Sequence, residues 1–287
     1  MKYRVNIDVA NKTKAGFGKL IDGRDPRLLN RVGAFSSLFL LDTTNYSEPV
    51  LVLKTEEPGS KQVLAFAHDR VESVCHDMIN HLINDCIVMG AKPLAVQDLI
   101  ICGKLESSTA SRIVAACAAA CAAQGCVLTG GETTEQPDVV PAGTYILGSS
   151  IVGIVDRRKV IDGSGIKQGH IVLSLAASGP HTNGFTLIRD LLERTPSLAK
   201  KAVGDSTFLE AVLEPHRCYY RAVEDAFDSI SGMAHITGGG IRENLNRILP
   251  KDLDARIDLA AYRPNGTFRV IRDAGGLTET EMLRTFN

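Results

Sequence analysis

The sequence predicts an α/β chain, α+β-like in its details, folded as two domains spanning residues 1–156 and 157–287. Strand-like runs and helix-period runs alternate through both halves. A polar, glycine-bearing stretch from Asp156 to His170 interrupts that alternation and reads as the boundary. The length, 287 residues, suits two ordinary domains of about 100–200 residues each. No internal repeat competes with this division.

Residues 1–30 are polar and broken by Gly16, Gly18, Gly23 and Pro26, so they read as irregular. Ala34 to Leu41 and Pro49 to Leu53 are strand-like runs. Past the polar loop Thr55 to Lys61, Gln62 to Ala67 reads as another strand. Arg70 to Met89 is a helix: Val71, Val74, Met78, Leu82 and Cys86 recur at helical spacing, and Gly90 supplies the stop. Pro93 to Ile101 is a strand. Thr109 to Gln124 is an Ala-rich helix, with Ser107 or Ser108 as its cap and Gly125 at its end. Val127 to Thr129 is a short strand running into Gly130-Gly131-Glu132, and Tyr145 to Val155 is another strand. Beyond the boundary, Ile171 to Ala176 reads as a strand, and Phe185 to Glu193 and Tyr219 to Asp228 as helices. His235-Ile236 reads as a strand end, and Ile241 to Leu249 as a helix closed by Pro250.

Composition narrows the function. Thirty-two Lys and Arg against 33 Asp and Glu leave a net charge of −1, which gives no electrostatic case for nucleic acid. No Trp is present and aromatic residues make up 5%, which argues against a base-stacking platform. No run approaches the ~20 apolar residues that span a bilayer, so no membrane partner is expected. The start, Met1-Lys2-Tyr3-Arg4-Val5-Asn6, turns polar too soon for a signal peptide. Seven cysteines, an odd number without metal spacing and with no Cys-x-x-Cys pair, suit reduced thiols in the cytoplasm and argue against a structural zinc site.

Five constellations carry chemistry. Ser178-Gly-Pro-His-Thr-Asn-Gly184 lies between a predicted strand and a predicted helix, where free backbone N–H groups favour an anion and His181 can donate to phosphate or act as acid or base. An ordinary tight turn fits the same residues. His235-Ile-Thr-Gly-Gly-Gly240 also runs into a helix, and successive glycines let backbone approach a ligand closely. It is neither Gly-x-Gly-x-x-Gly nor a Walker A loop. Gly130-Gly-Glu-Thr-Thr-Glu-Gln-Pro137, with Asp138, offers carboxylates suited to Mg²⁺ near phosphates, or a solvated acidic loop. Asp77, His81, Asn84 and Asp85 form a polar stripe on the helix Arg70 to Met89. A surface helix needs such a face anyway, but this one holds short ligating side chains and not Lys and Glu. Lys54-Thr-Glu-Glu-Pro-Gly-Ser-Lys61 supplies Lys61, a point charge suited to triphosphate, beside Gly59 and Ser60.

These motifs recur in a fixed order with others. They run from Asp77 with Asn84-Asp85, Gly90-Ala-Lys-Pro93, Gly103-Lys-Leu105, Gly130-Gly-Glu-Thr133, Glu135 and Pro137 to Val160-Ile-Asp-Gly163. Ser178-Gly-Pro-His181, Asn183-Gly184, Arg189, Pro215, Arg217 and Tyr219 follow. His235, Thr237-Gly-Gly-Gly240, Glu243-Asn244, Glu281-Met282 and Arg284-Thr-Phe-Asn287 close the set. In that order they resemble the aminoimidazole ribonucleotide synthetase family, the phosphoribosylformylglycinamidine cyclo-ligases. Wider relatives share the architecture and ATP use, but Ser178 to Gly184 and the Arg284 to Asn287 ending fit the cyclo-ligases better.

The resemblance implies two α/β domains and a homodimer formed through the N-terminal sheets. It implies ATP and Mg²⁺ as cofactors and a small-molecule substrate, formylglycinamidine ribonucleotide, closed to aminoimidazole ribonucleotide in purine biosynthesis. Phosphorylation of the formamide oxygen converts a poor leaving group into a good one, and the amidine nitrogen then closes the ring. It implies Lys61, Asp77 and His181 as catalytic residues, and Glu56, Gly59, Ser60, Lys61, Asn84, Asp85 and Glu132 around ATP. Glu56, Asp77 and Glu132 are implied as metal ligands. Ser178, Gly179, Thr182, Asn183, Arg189, Thr237, Gly238, Gly239 and Gly240 are implied at the substrate and its phosphate.

The chain departs from the family at identifiable places. The family's nucleotide loop reads Asp-Gly-Val-Gly-Thr-Lys, whereas this chain has Glu56-Glu-Pro-Gly-Ser-Lys61. Glu56 moves a carboxylate by about one methylene, Glu57 puts a charged side chain where a glycine admits phosphate, and Pro58 removes a donor. Asn80 and His81 replace small or apolar residues, and His216 replaces Thr. In the family, Arg-Thr-Phe-Asn leads into further elements, so the C-terminal α/β domain is expected to be incomplete within this sequence.

Overall fold

A computed structural model gives the structure, which describes residues 7–21, 25–30 and 33–286. The first element is a helix, α1 (Ile7–Leu20), where an irregular segment was expected. Thr13 and Phe17, one turn apart, are its buried positions, and that two-residue stripe is too sparse to stand out among polar neighbours. Ala34 to Leu41, expected as a strand, forms only an isolated bridge between Leu28 and Phe39.

The N-terminal domain is built on β1 (Pro49–Glu56), α2 (Lys61–Ala67), α3 (Val71–Ile87), β2 (Lys92–Cys102), α4 (Ser107–Ala123), β3 (Val127–Glu135) and β4 (Tyr145–Asp156). The strands form one sheet in the order β1-β4-β2-β3, with β2 and β3 parallel and the other pairs antiparallel. α2 replaces the strand expected over Gln62 to Ala67. A short apolar run does not distinguish helix from strand. Here Gly59 at φ +64° turns the chain, and the Gln62 and Val63 N–H groups bond back to the Gly59 and Ser60 carbonyls, starting a helix.

α3 and α4 cover one sheet face. Met78, Ile79, Leu82, Ile83, Ile113 and Cys117 pack there with Val96, Ile100, Leu147 and Ile151, all essentially buried. The opposite face is apolar and open. The register aligns Leu99 with Gly148, Ile101 with Ile146 and Leu53 with Val152 on that side. Leu53 is 71% exposed, and Leu51, Leu99 and Ile146 are also exposed.

Beyond Asp156, Ile171 to Ala176 runs without ladder partners among the described residues, and Ile171, Val172, Leu173 and Leu175 stand exposed there. His235-Ile236 is likewise not a strand. A strand needs a neighbour to take its N–H and C=O groups. Among the described residues of this half, the ladder that forms joins the short β5 (Ala202–Val203) and β6 (Ser206–Thr207). The helices are α5 (Phe185–Arg194), α6 (Phe208–Leu213), α7 (Tyr220–Val223), α8 (Gly240–Asn246), α9 (Gly266–Gly275) and α10 (Glu279–Thr285). The helix expected over Tyr219 to Asp228 is α7 followed by a tighter 3₁₀ turn, Glu224–Ser229. Phe185, Ile188, Phe208, Val212 and Ile271 make the local core.

Candidate functional site

The polar stripe of α3 faces the second domain and binds its backbone. Lys61, at the start of α2, is fully buried. Its Nζ lies 2.9 and 2.8 Å from the two Asp77 oxygens and donates to the carbonyls of His181 (3.0 Å) and Glu214 (2.8 Å). Asp77 Oδ1 also accepts the His216 N–H at 2.7 Å. Burial acts against both charges, pushing Asp77 up to about 6 and Lys61 down, while their contact opposes both shifts. One turn on, Asn80 Nδ2 donates to the His216 carbonyl at 2.7 Å. Asn84 donates to the Arg217 carbonyl (2.8 Å) and accepts the Tyr219 N–H (2.9 Å). Short side chains at positions 77, 80 and 84 therefore clamp the segment 214–219. Long Lys or Glu side chains would not fit that distance.

Beside the clamp four imidazoles meet. The His181 and His216 rings stack at 3.9 Å between centroids, and His81 and His235 lie edge to face at 5.0 Å. His216 and His235 approach Nε2 to Nε2 at 3.1 Å. Burial, with His235 and Lys61 nearby, pushes His181 down to about 3; burial and the neighbouring imidazoles hold His216 low, and burial with His235 outweighs Asp85 and Glu56 to hold His81 low. These three rings are neutral at pH 7. His181 adopts φ +53°, a left-handed conformation uncommon outside glycine. Its Nε2 accepts the Ser178 N–H at 3.2 Å, which places the ring proton on Nδ1.

The cluster's solvent side is charged. Asp85 Oδ1 lies 2.7 Å from His235 Nδ1, and Asp85 Oδ2 lies 2.9 Å from Lys54 Nζ. Lys54 Nζ is also 3.0 Å from Glu56 Oε2, so two carboxylates converge on one cation. His81 Nε2 stands 3.8 Å from both Glu56 Oε2 and Asp85 Oδ2. Burial would raise the Asp85 carboxyl, but His235, His81 and Lys54 outweigh it and hold it below the usual carboxylate range.

The remaining sequence-predicted residues divide. Thr182 Oγ1 is 3.2 Å from His81 Nδ1, and Ser178 Oγ donates to the Pro215 carbonyl at 2.7 Å, so the Ser178–Gly184 loop joins the cluster. Gly179 is buried within it, and Asn183 Nδ2 is buried without a protein partner. Arg189 is half-buried on α5. In the second loop, Gly239 and Gly240 have φ of +96° and +65°, and a Cβ on Gly240 would strike the Leu283 carbonyl. Their N–H groups donate to the Arg284 and Thr237 carbonyls. Asn244 Nδ2 ties down the carbonyls of Thr237, Gly238 and Gly240. Gly59 and Ser60 sit in the turn before α2, and the Gly59 N–H is taken by Glu57 Oε2 at 2.7 Å.

The metal set expected from sequence, Glu56, Asp77 and Glu132, does not converge. Asp77 is sealed behind Lys61, and Glu132 is exposed on β3, 3.5 Å from Lys14. Sequence reasoning missed His216, Asn80 and Lys54 as members of the cluster. The signal available was that His216 and Asn80 depart from the family pattern. A separate cavity of about 330 Å³ lies near α8, α9 and α10, lined by Ile241, Phe268, Met282 and Phe286, and contains none of these groups.

Residues 43–155 match the family described as AIR synthase related protein, N-terminal domain, and residues 167–287 match its C-terminal domain. A phosphoribosylformylglycinamidine cyclo-ligase of Chromobacterium violaceum is 41% identical over 265 residues, covering 91% of this chain and 76% of the relative. The Xylella fastidiosa protein of the same name is 37% identical over 288 residues, covering 99% and 82%. Among solved structures, hydrogenase maturation protein HypE in complex with ATP superposes with a TM-score of 0.65 at 18% identity, covering 97% of this chain and 75% of that one. Thiamine-monophosphate kinase from Stenotrophomonas maltophilia gives 0.60 at 16%, covering 97% and 79%. At these identities the structural matches speak for the fold alone, a mixed α/β architecture of two domains.

Proposed function

The chain belongs to the phosphoribosylformylglycinamidine cyclo-ligase family, and on that premise we propose that it closes formylglycinamidine ribonucleotide to aminoimidazole ribonucleotide, forming ADP and phosphate from ATP. The observation that carries this reading is the convergence of His181, His235 and Asp85, drawn from three separate motifs of a chain 41% identical to a named cyclo-ligase. In the reaction the γ-phosphoryl group moves to the formyl oxygen. The amidine nitrogen then bonds to that carbon, the C–O bond breaks, phosphate leaves and a nitrogen proton is lost.

The residues present fit a magnesium ion at one place. Glu56 and Asp85 offer two hard oxygen ligands converging where Lys54 Nζ now lies, and there Mg²⁺ would screen triphosphate charge. Asp77 and Glu132 stand outside that pair. Asn183 Nδ2, a buried donor lacking a protein partner, suits an oxygen of the ribonucleotide. Lys61 and Asp77 act by position: Lys61 holds the His181 carbonyl, and with it the strained turn that aims the imidazole. His181 acts on the substrate as a neutral ring, and the backbone bonds at its Nε2 fix its tautomer.

The apolar outer face of the N-terminal sheet, centred on Leu53, Leu99 and Ile146, supports a homodimer through that face. All seven cysteines are free, which suits a reducing cytoplasm. No helix among the described residues is long and apolar enough to cross a membrane.

The test is turnover by the purified chain with formylglycinamidine ribonucleotide and Mg-ATP, with aminoimidazole ribonucleotide and ADP expected in equal amounts. His181→Ala should lower turnover about a hundredfold or more and leave ATP affinity unchanged. Lost ATP affinity with unchanged chemistry would reverse the assignment of His181.

A further inference from the structure

We propose that His81, Asp85 and His235, completed by Glu56, form a binding site for a borderline transition-metal dication of the Zn²⁺ type. The site shares Glu56 and Asp85 with the magnesium pair above but goes beyond it, because it needs neither nucleotide nor substrate.

The donor geometry is the first argument. One ligand atom each from His81, Asp85 and His235 lie within 4.8 Å of one another. Tetrahedral ligands about 2.0–2.1 Å from a zinc ion stand roughly 3.3 Å apart. His81 Nε2 is already 3.8 Å from Asp85 Oδ2 and from Glu56 Oε2. The His235 Nδ1 to Asp85 Oδ1 contact, 2.7 Å, is a hydrogen bond that opens slightly when metal replaces its proton. His81 and Asp85 lie one helical turn apart on α3, whose backbone fixes their spacing.

The second argument lies outside the ligands. A metal-bound imidazole needs its other nitrogen engaged to fix the ring. His81 Nδ1 is held by Thr182 Oγ1 at 3.2 Å, and His235 Nε2 by His216 Nε2 at 3.1 Å. Both rings therefore turn their remaining nitrogens, His81 Nε2 and His235 Nδ1, toward Asp85. His216, which departs from the family's Thr, supports one ligand, and His81, another departure, is itself a ligand.

The third argument is that a cation already sits there. Lys54 Nζ lies 2.9 Å from Asp85 Oδ2 and 3.0 Å from Glu56 Oε2. A dication entering the site displaces this ammonium to solvent, which its side chain reaches, being 37% exposed. Two imidazoles beside two carboxylates select zinc, cobalt or nickel over magnesium, which takes oxygen ligands almost exclusively.

The experiment uses the full chain, stripped with EDTA and desalted, with no nucleotide present. Co²⁺ is titrated while visible d–d absorption is followed, and Zn²⁺ then competes. The expected result is one Co²⁺ per chain with an intense band typical of four or five ligands, abolished by His81→Ala and by His235→Ala. Glu56→Gln should weaken binding at least tenfold, Lys54→Met should tighten it, and His170→Ala, at an exposed histidine, should leave it unchanged. Circular dichroism checks folding, and the Glu56→Gln and Lys54→Met pair decides the matter should a histidine variant not fold. Binding no tighter than that of Mg²⁺, a band unchanged in His81→Ala, or a thiolate charge-transfer band from the cysteines would overturn the site. None of these outcomes depends on cyclisation, so failure here and failure of the proposed reaction are separate results.

Discussion

Replacing Lys61 by methionine tests the clamp between the domains. The substitution preserves much of the side-chain volume, removes the ammonium, and leaves Asp77 at 0% exposure with no counter-charge. Removing one partner of a buried ion pair costs about 3–5 kcal/mol. The carbonyls of His181 and Glu214 lose a donor as well, which favours the upper part of that range. The loss carries a pH signature. Without Lys61, Asp77 stays folded only by holding a proton. Its folded pKa then lies well above the unfolded value, so the native state binds the extra proton and the variant gains stability as pH falls. In the wild type burial raises Asp77 only to about 6, so the gap between the two proteins should narrow by about 1 kcal/mol from pH 7 to pH 6 and level off below about pH 5. Urea unfolding followed by far-UV circular dichroism reads this directly, since the chain lacks Trp. Lys61→Met/Asp77→Asn should recover at least half the loss. A single-variant loss below about 1 kcal/mol, or one independent of pH, would refute the reasoning.

Three further outcomes follow from the same structure. Glu57→Gly frees the Gly59 N–H that the Glu57 carboxylate now occupies and removes a negative charge from the loop, so ATP affinity measured by calorimetry should rise about tenfold. Acidification should cost stability at His181. Its folded pKa is depressed to about 3, so the unfolded chain takes up protons first as pH falls below about 6.5, and His181 alone accounts for a loss of about 2 kcal/mol by pH 5. His81 and His216 act in the same direction and the buried carboxyls Asp77 and Asp98 in the opposite one, so the readout is the comparison with His181→Gln, whose stability by urea unfolding should change between pH 7 and pH 5 by about 2 kcal/mol in its favour relative to wild type. Leu53→Asp places a charge on the outer sheet face, 71% exposed in the single chain, and should shift the proposed dimer to monomer by light scattering while the far-UV circular dichroism of the fold stays unchanged.

What the sequence disclosed depended on how local the cause was. α3, α4, β2 and β4 were legible because each carries its own periodicity and its own stop, Gly90 at φ +75° and Gly125 at φ +72° among them. Gln62 to Ala67 was misread because its short apolar run fits either state, and the turn at Gly59 decides. Ile171 to Ala176 has strand composition, but a ladder belongs to two segments, and none of the described residues pairs with it. At the site, the glycine loops marked His181 and His235, and the α3 stripe marked Asp85, because ligand-facing residues break local patterns. Lys61 was read as a triphosphate contact, since nothing local reveals that residues 77, 181 and 214 converge on its ammonium. His216 could be seen only as an unexpected residue, because its role lies in the ring it stacks on and the ring it supports.

The proposed ring closure proceeds through phosphate transfer to the formyl oxygen at the cleft holding His181, His235 and Asp85. The most direct measurement supplies formylglycinamidine ribonucleotide labelled with ¹⁸O at the formyl group, together with Mg-ATP, and analyses the released phosphate by mass spectrometry. One ¹⁸O atom is expected in each phosphate formed, in step with aminoimidazole ribonucleotide and ADP. Phosphate without label, or ADP formed without ring closure, would contradict it.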